Sequence, residues 1–352
     1  MADRKTKILI LTAGHIDHPS SRTRATQFFH DLENKNCSVT WIPRVTKEAK
    51  TNLEKLLFPF FKRFYYLKMR FHLLLGNWNL VFVQRAYLGE HFLKLLKRRN
   101  IPLVFDFDDA LYLHANDKKG DRSLTGLMIS YSSAVITSTP YLSPFCESYG
   151  KKPIIIPTSV DGELIKPNTP KSKDDVPVVG WIGSFTTTIT IKQGEEGLRR
   201  LAKRLKYRLI LIGADPSYQP EGVPFEHYTW QLEKEPDFLK QMDIGIMPLP
   251  LTKYSEGKGG YKLFLYMAAA IPSVATPIGI NSELIQDGVN GFLASEPEEW
   301  EEKMHLLLTN SELRQKMGYA GRQLFDENYS SKIAFDMLYK ILNDLVKNSS
   351  IN

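Results

Sequence analysis

Short apolar runs rich in β-branched residues alternate with amphipathic stretches along most of the chain. In the first half these runs are KILILTA, CSVTWI, NLVFVQ, IPLVFDF, SAVITST and PIIIP. In the second half they are VPVVGWIG, YRLILIG, DIGIMPL and PSVATP. Apolar strands separated by helices are typical of parallel sheets that helices cover on both faces. The pattern therefore predicts an α/β fold with two Rossmann-like domains.

A polar segment interrupts this alternation between the two halves. Residues 158–176 are rich in Pro, Lys and Asp and poor in apolar residues, which predicts a linker. We expect a first domain over 1–157, a second over 177–330, and a C-terminal helix over about 331–347 that packs back on the first domain. Ligands bind beyond the carboxyl ends of parallel strands, so we expect the two domains to face each other across a cleft.

The formal net charge of +7 is unevenly divided along the 352 residues. Residues 1–160 hold 24 Lys and Arg against 13 Asp and Glu, whereas residues 161–352 hold 22 against 26. A basic first half can face nucleic acid, anionic lipid or a phosphorylated acceptor, and charge alone does not choose among them. Its aromatic residues follow an apolar stripe and do not form an exposed platform, so we expect no nucleic-acid partner.

Cysteine content and hydropathy limit the class of protein. Cys37 and Cys146 are the only cysteines, which excludes a disulfide framework and a cysteine zinc site. The first apolar run is too short for a signal peptide, and no run of about 18 apolar residues is present. We therefore expect a cytoplasmic protein that can also associate peripherally with the inner membrane face.

Two glycine-containing segments of the second half suit phosphate binding. Gly183 and Ser184 follow a strand at the start of a predicted helix, where small residues and the helix dipole favour an anion. The alternative is that Gly183 only makes the tight turn that the fold requires. The second segment, residues 255–262, places glycines and two lysines directly before a helix, which suits a diphosphate. Its carboxylate, Glu256, can accept hydrogen bonds from a ribose.

Five motifs occur in an order and spacing that resemble glycosyltransferase family four. They are GWIGS, IIPTSVD, DIGIMPL, KGGYKLFLYMAAAIPSVATPIG and DGVNGFLA. Two N-terminal motifs, SSRTRA and VFDFDDALYL, resemble one bacterial branch of that family. The resemblance implies a B-type double-Rossmann fold, a UDP- or GDP-linked sugar on the second domain and an acceptor on the first. It also implies transfer with retention of configuration and without a bound metal or other cofactor.

The resemblance places the donor on loops of the second domain. The candidate donor-binding residues are Gly183, Ser184, Phe225, Trp230, Glu256, Lys258, Gly259, Gly260, Tyr261, Lys262 and Gly279. Family members usually carry two glutamates eight residues apart, and the matching positions here are Gly257 and Leu265. Glu256 can replace the first glutamate by a shift of one residue, whereas nothing replaces the second.

Three residues after the first strand are candidates for binding a phosphate or the acceptor. They are Gly14, Arg22 and Arg24. An arginine can clamp a phosphate through two hydrogen bonds, whereas the alternative is that both arginines only begin a surface helix. The resemblance adds Lys258, Lys262 and Ser184 as the groups that would bind the donor phosphates.

Three aspartates lie at the end of a later strand of the first half, at positions 106, 108 and 109. Spaced carboxylates of this kind can bind magnesium or manganese. The alternative is that Asp109, or His114 close by, orients the acceptor hydroxyl or takes its proton. We expect no metal, because a B-type fold neutralises phosphate with helix dipoles and cations.

The stretch from Leu53 to Leu75 combines apolar residues at helical spacing with interspersed basic residues. Such a helix can lie in the headgroup layer of an anionic membrane, where a lipid-linked acceptor would be found. The alternative is that its apolar stripe packs on the sheet.

The sequence therefore predicts a retaining glycosyltransferase that moves a sugar from a nucleoside diphosphate sugar to a hydroxyl of a glycan or lipid-linked acceptor. The alternative is a protein that kept this fold and binds nucleotide or glycan without catalysis, because the second glutamate is absent. A dehydrogenase or epimerase is disfavoured, since no G-x-G-x-x-G motif opens a helix after either first strand.

Overall fold

The chain forms two compact units. The computed structural model describes residues 5–44, 52–114, 117–119, 122–169 and 175–351. Unit 1 comprises Met1–Thr158 together with Ser331–Asn352, and unit 2 comprises Ser159–Ser330.

Unit 1 is built on a parallel sheet of six strands within the part of the chain that the structure describes. The strands of the unit are β1 (Thr6–Thr12), β2 (Cys37–Pro43), β3 (Leu80–Gln84), β4 (Leu103–Phe107), β5 (Lys118–Lys119), β6 (Arg122–Ser123), β7 (Ala134–Thr137) and β8 (Ile154–Ile155). The sheet has the order β2-β1-β3-β4-β7-β8, while β5 and β6 form a separate antiparallel pair. The strand order reverses between β1 and β3, where connections diverge and a ligand crevice can form at the carboxyl ends.

Helices of unit 1 cover this sheet. They are α1 (Pro19–Arg24), α2 (Phe29–Asn34), α3 (Asn52–Leu75), α4 (Glu90–Arg98), α5 (Leu124–Tyr131) and α6 (Ser143–Glu147). No single helix runs over residues 21–36, because Ala25 leaves helical geometry with φ −139° and ψ −64° and ends α1. A short 3₁₀ helix, Thr26–Phe28, then connects α1 to α2.

Unit 2 repeats the architecture with another six-stranded parallel sheet among the residues described. Its strands are β9 (Val178–Ile182), β10 (Arg208–Ile212), β11 (Phe225–Tyr228), β12 (Ile244–Met247), β13 (Ser273–Ala275) and β14 (Gly291–Leu293). Their order is β11-β10-β9-β12-β13-β14, the 3-2-1-4-5-6 order of Rossmann folds. Here the order reverses between β9 and β12.

The helices of unit 2 follow its strands in alternation. They are α7 (Lys192–Ala202), α8 (Glu235–Lys240), α9 (Lys253–Glu256), α10 (Tyr261–Ala268), α11 (Ile280–Leu284), α12 (Pro297–Thr309) and α13 (Ser311–Asn328). Alternate residues of β10 contribute to two apolar clusters: Ile210 and Ile212 join one, and Leu209 and Leu211 join the other. Because side chains alternate along a strand, this division shows that helices cover both faces of the sheet.

The last helix of the chain, α14 (Ser331–Ile351), belongs to unit 1. Its Phe335, Leu338 and Leu342 are buried in the cluster that contains Ile8 and Phe82 of the sheet. The C-terminal helix thus completes the core of the N-terminal sheet.

The predicted linker is only partly a linker. Within residues 159–169, Ile165 is buried in the unit 2 core, and Asn168 donates from its side-chain nitrogen to the carbonyls of Leu239 and Met242. Arg322 of α13 also donates to the carbonyl of Ile165. This part of the segment is therefore attached to unit 2, while residues 170–174 lie outside the described residues.

Candidate functional site

Two glycines join the loops at the carboxyl ends of β9 and β10. A Cβ added to Gly213, whose φ is +71°, would lie 2.4 Å from the carbonyl oxygen of Gly183. A Cβ added to Gly183 would lie 2.3 Å from the Trp181 ring. Both glycines therefore have a packing role, and they bring two backbone loops together at the edge where Rossmann folds bind ligands.

The Ser184 turn is more closed than a phosphate-binding turn needs to be. Residues Phe185–Ile191 form a 3₁₀ helix, and α7 starts only at Lys192. The Ser184 N–H donates to Oγ1 of Thr187 at 3.1 Å, in a reciprocal capping box. The backbone donor of Ser184 is thus already used within the turn.

The glycine segment after β12 forms a tight connection from α9 to α10. Gly259 and Gly260 are buried, and Gly260 has a φ of +73° at the N-cap of α10, a conformation that favours glycine. A Cβ on Gly260 would lie 2.9 Å from a methyl carbon of Ile280. The sequence places glycine here because helix α10 must begin directly against the loop that follows β13.

Gly279 makes the same contact from the other side. Its φ of +52° and ψ of −133° suit only glycine, and a Cβ would lie 2.3 Å from the carbonyl oxygen of Glu256. The Glu256 side chain is half-buried, and its carboxylate has no hydrogen-bond partner among the described residues. Residues 256–260 and 279–280 thus form one cluster beside the start of α10, with a carboxylate available to hydroxyl donors.

Lys262 and Gly183 both pack against the side chain of Trp181. The Nζ of Lys262 is 5.0 Å from a ring centroid of Trp181, the side chain against which Gly183 packs. The Nζ of Lys258 is 4.8 Å from the Tyr254 ring centroid. A cation held over an aromatic ring is positioned without losing its charge. The structure therefore brings the two predicted phosphate-binding segments together at the positive end of α10.

A buried carboxylate that sequence reasoning missed links two other predicted residues. Glu235 is 6% exposed and accepts hydrogen bonds from Trp230 Nε1 at 2.9 Å and Tyr261 OH at 3.0 Å. Trp230 also packs against Gly213, 3.1 Å from its Cβ position. Trp230 and Tyr261 are therefore held at the same edge as the glycine loops.

Phe225 does not lie where the prediction of a donor-binding residue requires. It is the first residue of β11 and pairs with Leu209 near the start of β10, so it lies at the amino end of these strands. It packs beside the cluster that contains Val179 and Leu209. The donor loops lie at the carboxyl ends, where Tyr228 pairs with Ile212. The predicted contact of Phe225 with a base does not fit this position.

Position 265, where family members usually carry the second glutamate, holds an apolar residue. Leu265 is fully buried in the apolar core of unit 2. A glutamate there would need a polar partner to offset its burial. In this chain α10 directs position 265 into the core, so Leu265 packs among apolar side chains where a family member would carry a glutamate.

In unit 1, charged residues meet at the carboxyl ends of β3 and β4. Nη1 of Arg85 donates to Ser20 Oγ, Asp108 Oδ1 and Asp109 Oδ2, each at 2.9 Å. Arg85 has a φ of +47°, a strained conformation of the kind that clusters at functional sites. Burial opposes ionisation of Asp108, but the Arg85 guanidinium, the hydrogen bond from Ser20 and the charge of Arg24 together outweigh it and lower the pKa of the carboxyl.

His18 completes this cluster, although no local sequence pattern distinguishes it from other histidines. Its Nδ1 accepts a hydrogen bond from the N–H of Ser21 at 3.4 Å and caps α1. Burial, and then the charge of Arg85, lower the pKa of the imidazole. The unit 1 cluster, defined as His18, Arg85, Asp108 and Asp109, thus pairs a neutral imidazole with carboxylates held by arginine.

The position of Arg24 also differs from the prediction that it binds a phosphate or the acceptor. Its guanidinium donates to both carboxylate oxygens of Asp106 and to the carbonyl of Ile156, and its side chain is 3% exposed. A buried arginine whose three side-chain nitrogens all donate within the protein is not placed to clamp a phosphate. The structure assigns Arg24 to the framework that ties α1 to β4.

The remaining candidates of unit 1 border the cluster. Arg22 is largely buried, and its Nη1 donates to the carbonyl of Ile16 at 3.1 Å. The Gly14 amide donates to Ser21 Oγ at 3.1 Å, and a Cβ at Gly14 would meet His18. His114 is exposed after the 3₁₀ helix Leu111–Leu113. Among the residues described, no group of three His, Cys, Asp or Glu side chains is placed to hold a metal ion.

Comparison with known proteins bears on both units. Residues 176–310, which include both glycine segments, match the family model described as Glycosyl transferases group 1. No curated protein sequence matches the chain significantly. Similarity to solved structures extends over nearly the whole chain. A sucrose-phosphate synthase from Thermosynechococcus elongatus matches with a TM-score of 0.70 at 13% identity, covering 98% of this chain and 100% of that one.

Two further structures have the same architecture. A glycosyltransferase from Rickettsia africae ESF-5 has a TM-score of 0.64 at 16% identity, with 98% and 100% of the two chains covered. Anabaena Alr3699/HepE, solved in complex with UDP, has a TM-score of 0.59 at 15% identity, with 96% and 100% covered. The fold is that of the B-type double-Rossmann glycosyltransferases. In this double-Rossmann fold, the predicted α/β class with two Rossmann-like sheets is confirmed.

Proposed function

We propose that this protein transfers a sugar from a UDP- or GDP-linked donor to a hydroxyl of a glycan or lipid-linked acceptor, with retention of configuration. The carrying observation is the cluster around Trp181 in unit 2, where Lys262 and Gly183 meet at the start of α10. This cluster lies within the residues that match the group 1 family model.

The donor diphosphate is assigned to the positive end of α10. Negative charge develops on the leaving nucleoside diphosphate as the glycosidic bond breaks, so groups that stabilise this charge supply most of the rate enhancement. Lys262 and Lys258 supply the positive charges in this proposal, and the segment Gly259–Gly260 lets the backbone approach closely. The unpartnered carboxylate of Glu256 would accept from the ribose hydroxyls.

The acceptor is assigned to the unit 1 cluster. A neutral imidazole is the form that can take a proton, and the lowered pKa of His18 favours that form. Asp109 and Arg85 would then orient the acceptor hydroxyl. Structures of Anabaena Alr3699/HepE contain UDP with glucose, or UDP-glucose, which supports a UDP-linked donor as the first to test.

The direct experiment is release of nucleoside diphosphate from a panel of UDP- and GDP-sugars, with and without glycan acceptors. The proposal expects release for at least one donor, and NMR of the product would report the retained anomeric configuration. Absence of release for every donor, combined with tight nucleotide binding, would support the second candidate. That candidate is a non-catalytic nucleotide-binding protein, which the burial of Leu265 in the core favours.

A further inference from the structure

Helix α3 has two apolar rows on opposite sides. Tyr65, Met69 and Leu73 are spaced by four residues and are buried against unit 1, with exposures of 6%, 5% and 0%. This packed row attaches the helix to the rest of unit 1. It accounts for less than half of the apolar residues in the helix.

The second row, called the open row here, is formed by Phe60, Phe64, Leu67 and Phe71. These side chains recur three and four residues apart, so they share one side of the helix. Their exposures are 66%, 56%, 65% and 58%. Single exposed apolar residues are ordinary, but a continuous row of large ones marks an interaction surface.

Charge identifies the partner of the open row. Lys62, Arg63, Lys68 and Arg70 lie in the same helix and are exposed, whereas no acidic residue occurs between Glu54 and Glu90. At 100° per residue, Arg63 and Arg70 border one edge of the open row and Lys68 borders the other. Apolar side chains flanked by cations fit a surface that is apolar inside and anionic at its boundary.

A second copy of the chain fits this surface poorly. A two-fold contact through the open row would bring identical patches together, so the flanking cations would face cations. An anionic bilayer offers both complementary features, phosphate at the boundary and hydrocarbon below it.

The C-terminal end of the helix is fixed in place. Arg99 donates to the carbonyl of Leu74 at 2.7 Å and to that of Leu73 at 3.4 Å. Trp78 Nε1 also donates to the carbonyl of His72. These bonds satisfy carbonyls that a helix end would otherwise leave open, so the open row is presented on a formed helix.

We propose that α3 is a membrane-docking helix that lies in the headgroup layer of bilayers containing anionic lipid, with the open row inserted. No helix among the described residues is long and apolar enough to span a membrane. Docking through α3 places unit 1 at the surface where a lipid-linked acceptor would lie. The docking itself does not rest on the proposed transferase activity.

Vesicle flotation tests the proposal with the full chain. The wild type should float with phosphatidylcholine vesicles that contain phosphatidylglycerol, and binding should weaken as salt screens the cations. The triple variant Phe64→Ser, Leu67→Ser, Phe71→Ser should lose binding by about ten-fold or more, since it removes most of the inserted area. The matched control Leu164→Ser with Leu306→Ser, two exposed leucines of unit 2, should float as the wild type does.

A fluorescent probe gives an independent readout. The two cysteines, Cys37 and Cys146, are both buried, so a cysteine introduced as Phe64→Cys can be labelled selectively with an environment-sensitive dye. The dye should shift to the blue on anionic vesicles, while the same dye on Leu164→Cys should not shift. Nucleoside diphosphate binding, measured in parallel, would show that each variant is folded and would score the donor proposal separately.

Three results would overturn the proposal. The first is failure of the wild type to float with anionic vesicles at low salt. The second is equal flotation of the wild type and the triple variant. The third is a concentration-dependent dimer in sedimentation equilibrium that the triple variant abolishes, which would assign the open row to a second copy.

Discussion

Arginine has two different roles in unit 1. Arg24 is buried in a bidentate pair with Asp106, whereas Arg85 lies nearer the surface and gathers Ser20, Asp108 and Asp109 around one nitrogen. Burial decides between the roles, because a desolvated guanidinium needs every donor satisfied within the protein. Only the less buried arginine is placed to meet a ligand.

Replacing Arg24 should therefore damage the fold. Arg24→Ala leaves Asp106 as a buried charge without its partner, which should lower the free energy of unfolding by about 3–5 kcal/mol. Urea denaturation would measure this. The matched control is Arg208→Ala, which breaks the exposed pair with Glu226 and should cost about 1 kcal/mol or less. Equal effects of the two substitutions would contradict the assigned role.

The buried imidazole of His18 makes stability depend on pH. The folded protein holds the pKa of His18 below its ordinary value of about 6.5. Below that value the unfolded chain takes up a proton that the folded protein resists, so the free energy of unfolding should fall as pH falls. His18→Asn keeps a capping acceptor but removes this titration. The difference in unfolding free energy between wild type and variant should change between pH 7.5 and 5, and parallel curves would count against a buried neutral ring.

At the scale of elements, glycines decide how closely the loops of unit 2 approach. Gly279 lets the loop after β13 touch the backbone of Glu256, and Gly260 lets α10 begin against that same loop. The donor cluster is therefore built by backbone contacts that no side chain would permit.

Substitutions at two glycines separate conformation from contact. Gly288 has a φ of +79° with open space around its Cβ position, so Gly288→Ala should cost only about 1 kcal/mol of conformational strain. Gly279→Ala adds a clash with the Glu256 backbone and should cost roughly 2–5 kcal/mol. It should also weaken nucleotide binding, whereas Gly288→Ala should not. Thermal unfolding and calorimetric titration would measure both effects, and matching results for the pair would disprove the packing role of Gly279.

Strands with strong apolar character were predictable from the sequence, including the short β8 and β13, whereas the two edge strands of the unit 2 sheet were not. Strands β9, β10 and β12 are buried and apolar. Strand β11 reads FEHY and lies at a sheet edge, so its residues lack the apolar pattern of a central strand. Strand β14 has only three residues at the other edge.

The candidate site was predictable only where chemistry is local in sequence. Glycines and lysines before α10 are adjacent in the chain, so their joint role could be inferred. Glu235 acquires its role from Trp230 and Tyr261, and His18 acquires its role from Arg85, which follows a different strand. Such tertiary partners leave no signal in local spacing, and Arg24 looked available for the same reason.

For the whole molecule, α14 links the end of the chain to the core of its beginning. Unit 1 consists of residues before Thr158 and after Ser331, while unit 2 is continuous in sequence. Unit 1 therefore cannot complete its core until the last helix has been made, whereas unit 2 has all of its residues earlier.

Truncation after Ser330 tests this dependence. The loss exposes the surface that Phe335, Leu338 and Leu342 cover, at about 1.5–3 kcal/mol for each buried side chain. Limited proteolysis should then cut unit 1 rapidly and leave unit 2 intact with its nucleotide affinity. Truncation after Lys347, which keeps these three residues, is the control. Equal resistance of unit 1 in both truncations would show that α14 is dispensable.

The most direct test of the donor site is the thermal stability of the full chain against a panel of nucleoside diphosphates. UDP or GDP at about 100 times its Kd should add roughly 2.7 kcal/mol to the free energy of unfolding. Lys262→Ala should lose most of this stabilisation, while Lys240→Ala, which removes an exposed lysine of α8, should keep it. The unliganded midpoint of Lys262→Ala should stay close to that of the wild type. A flat response of the wild type to every nucleotide, or an undiminished response of Lys262→Ala, would contradict the donor site at the start of α10.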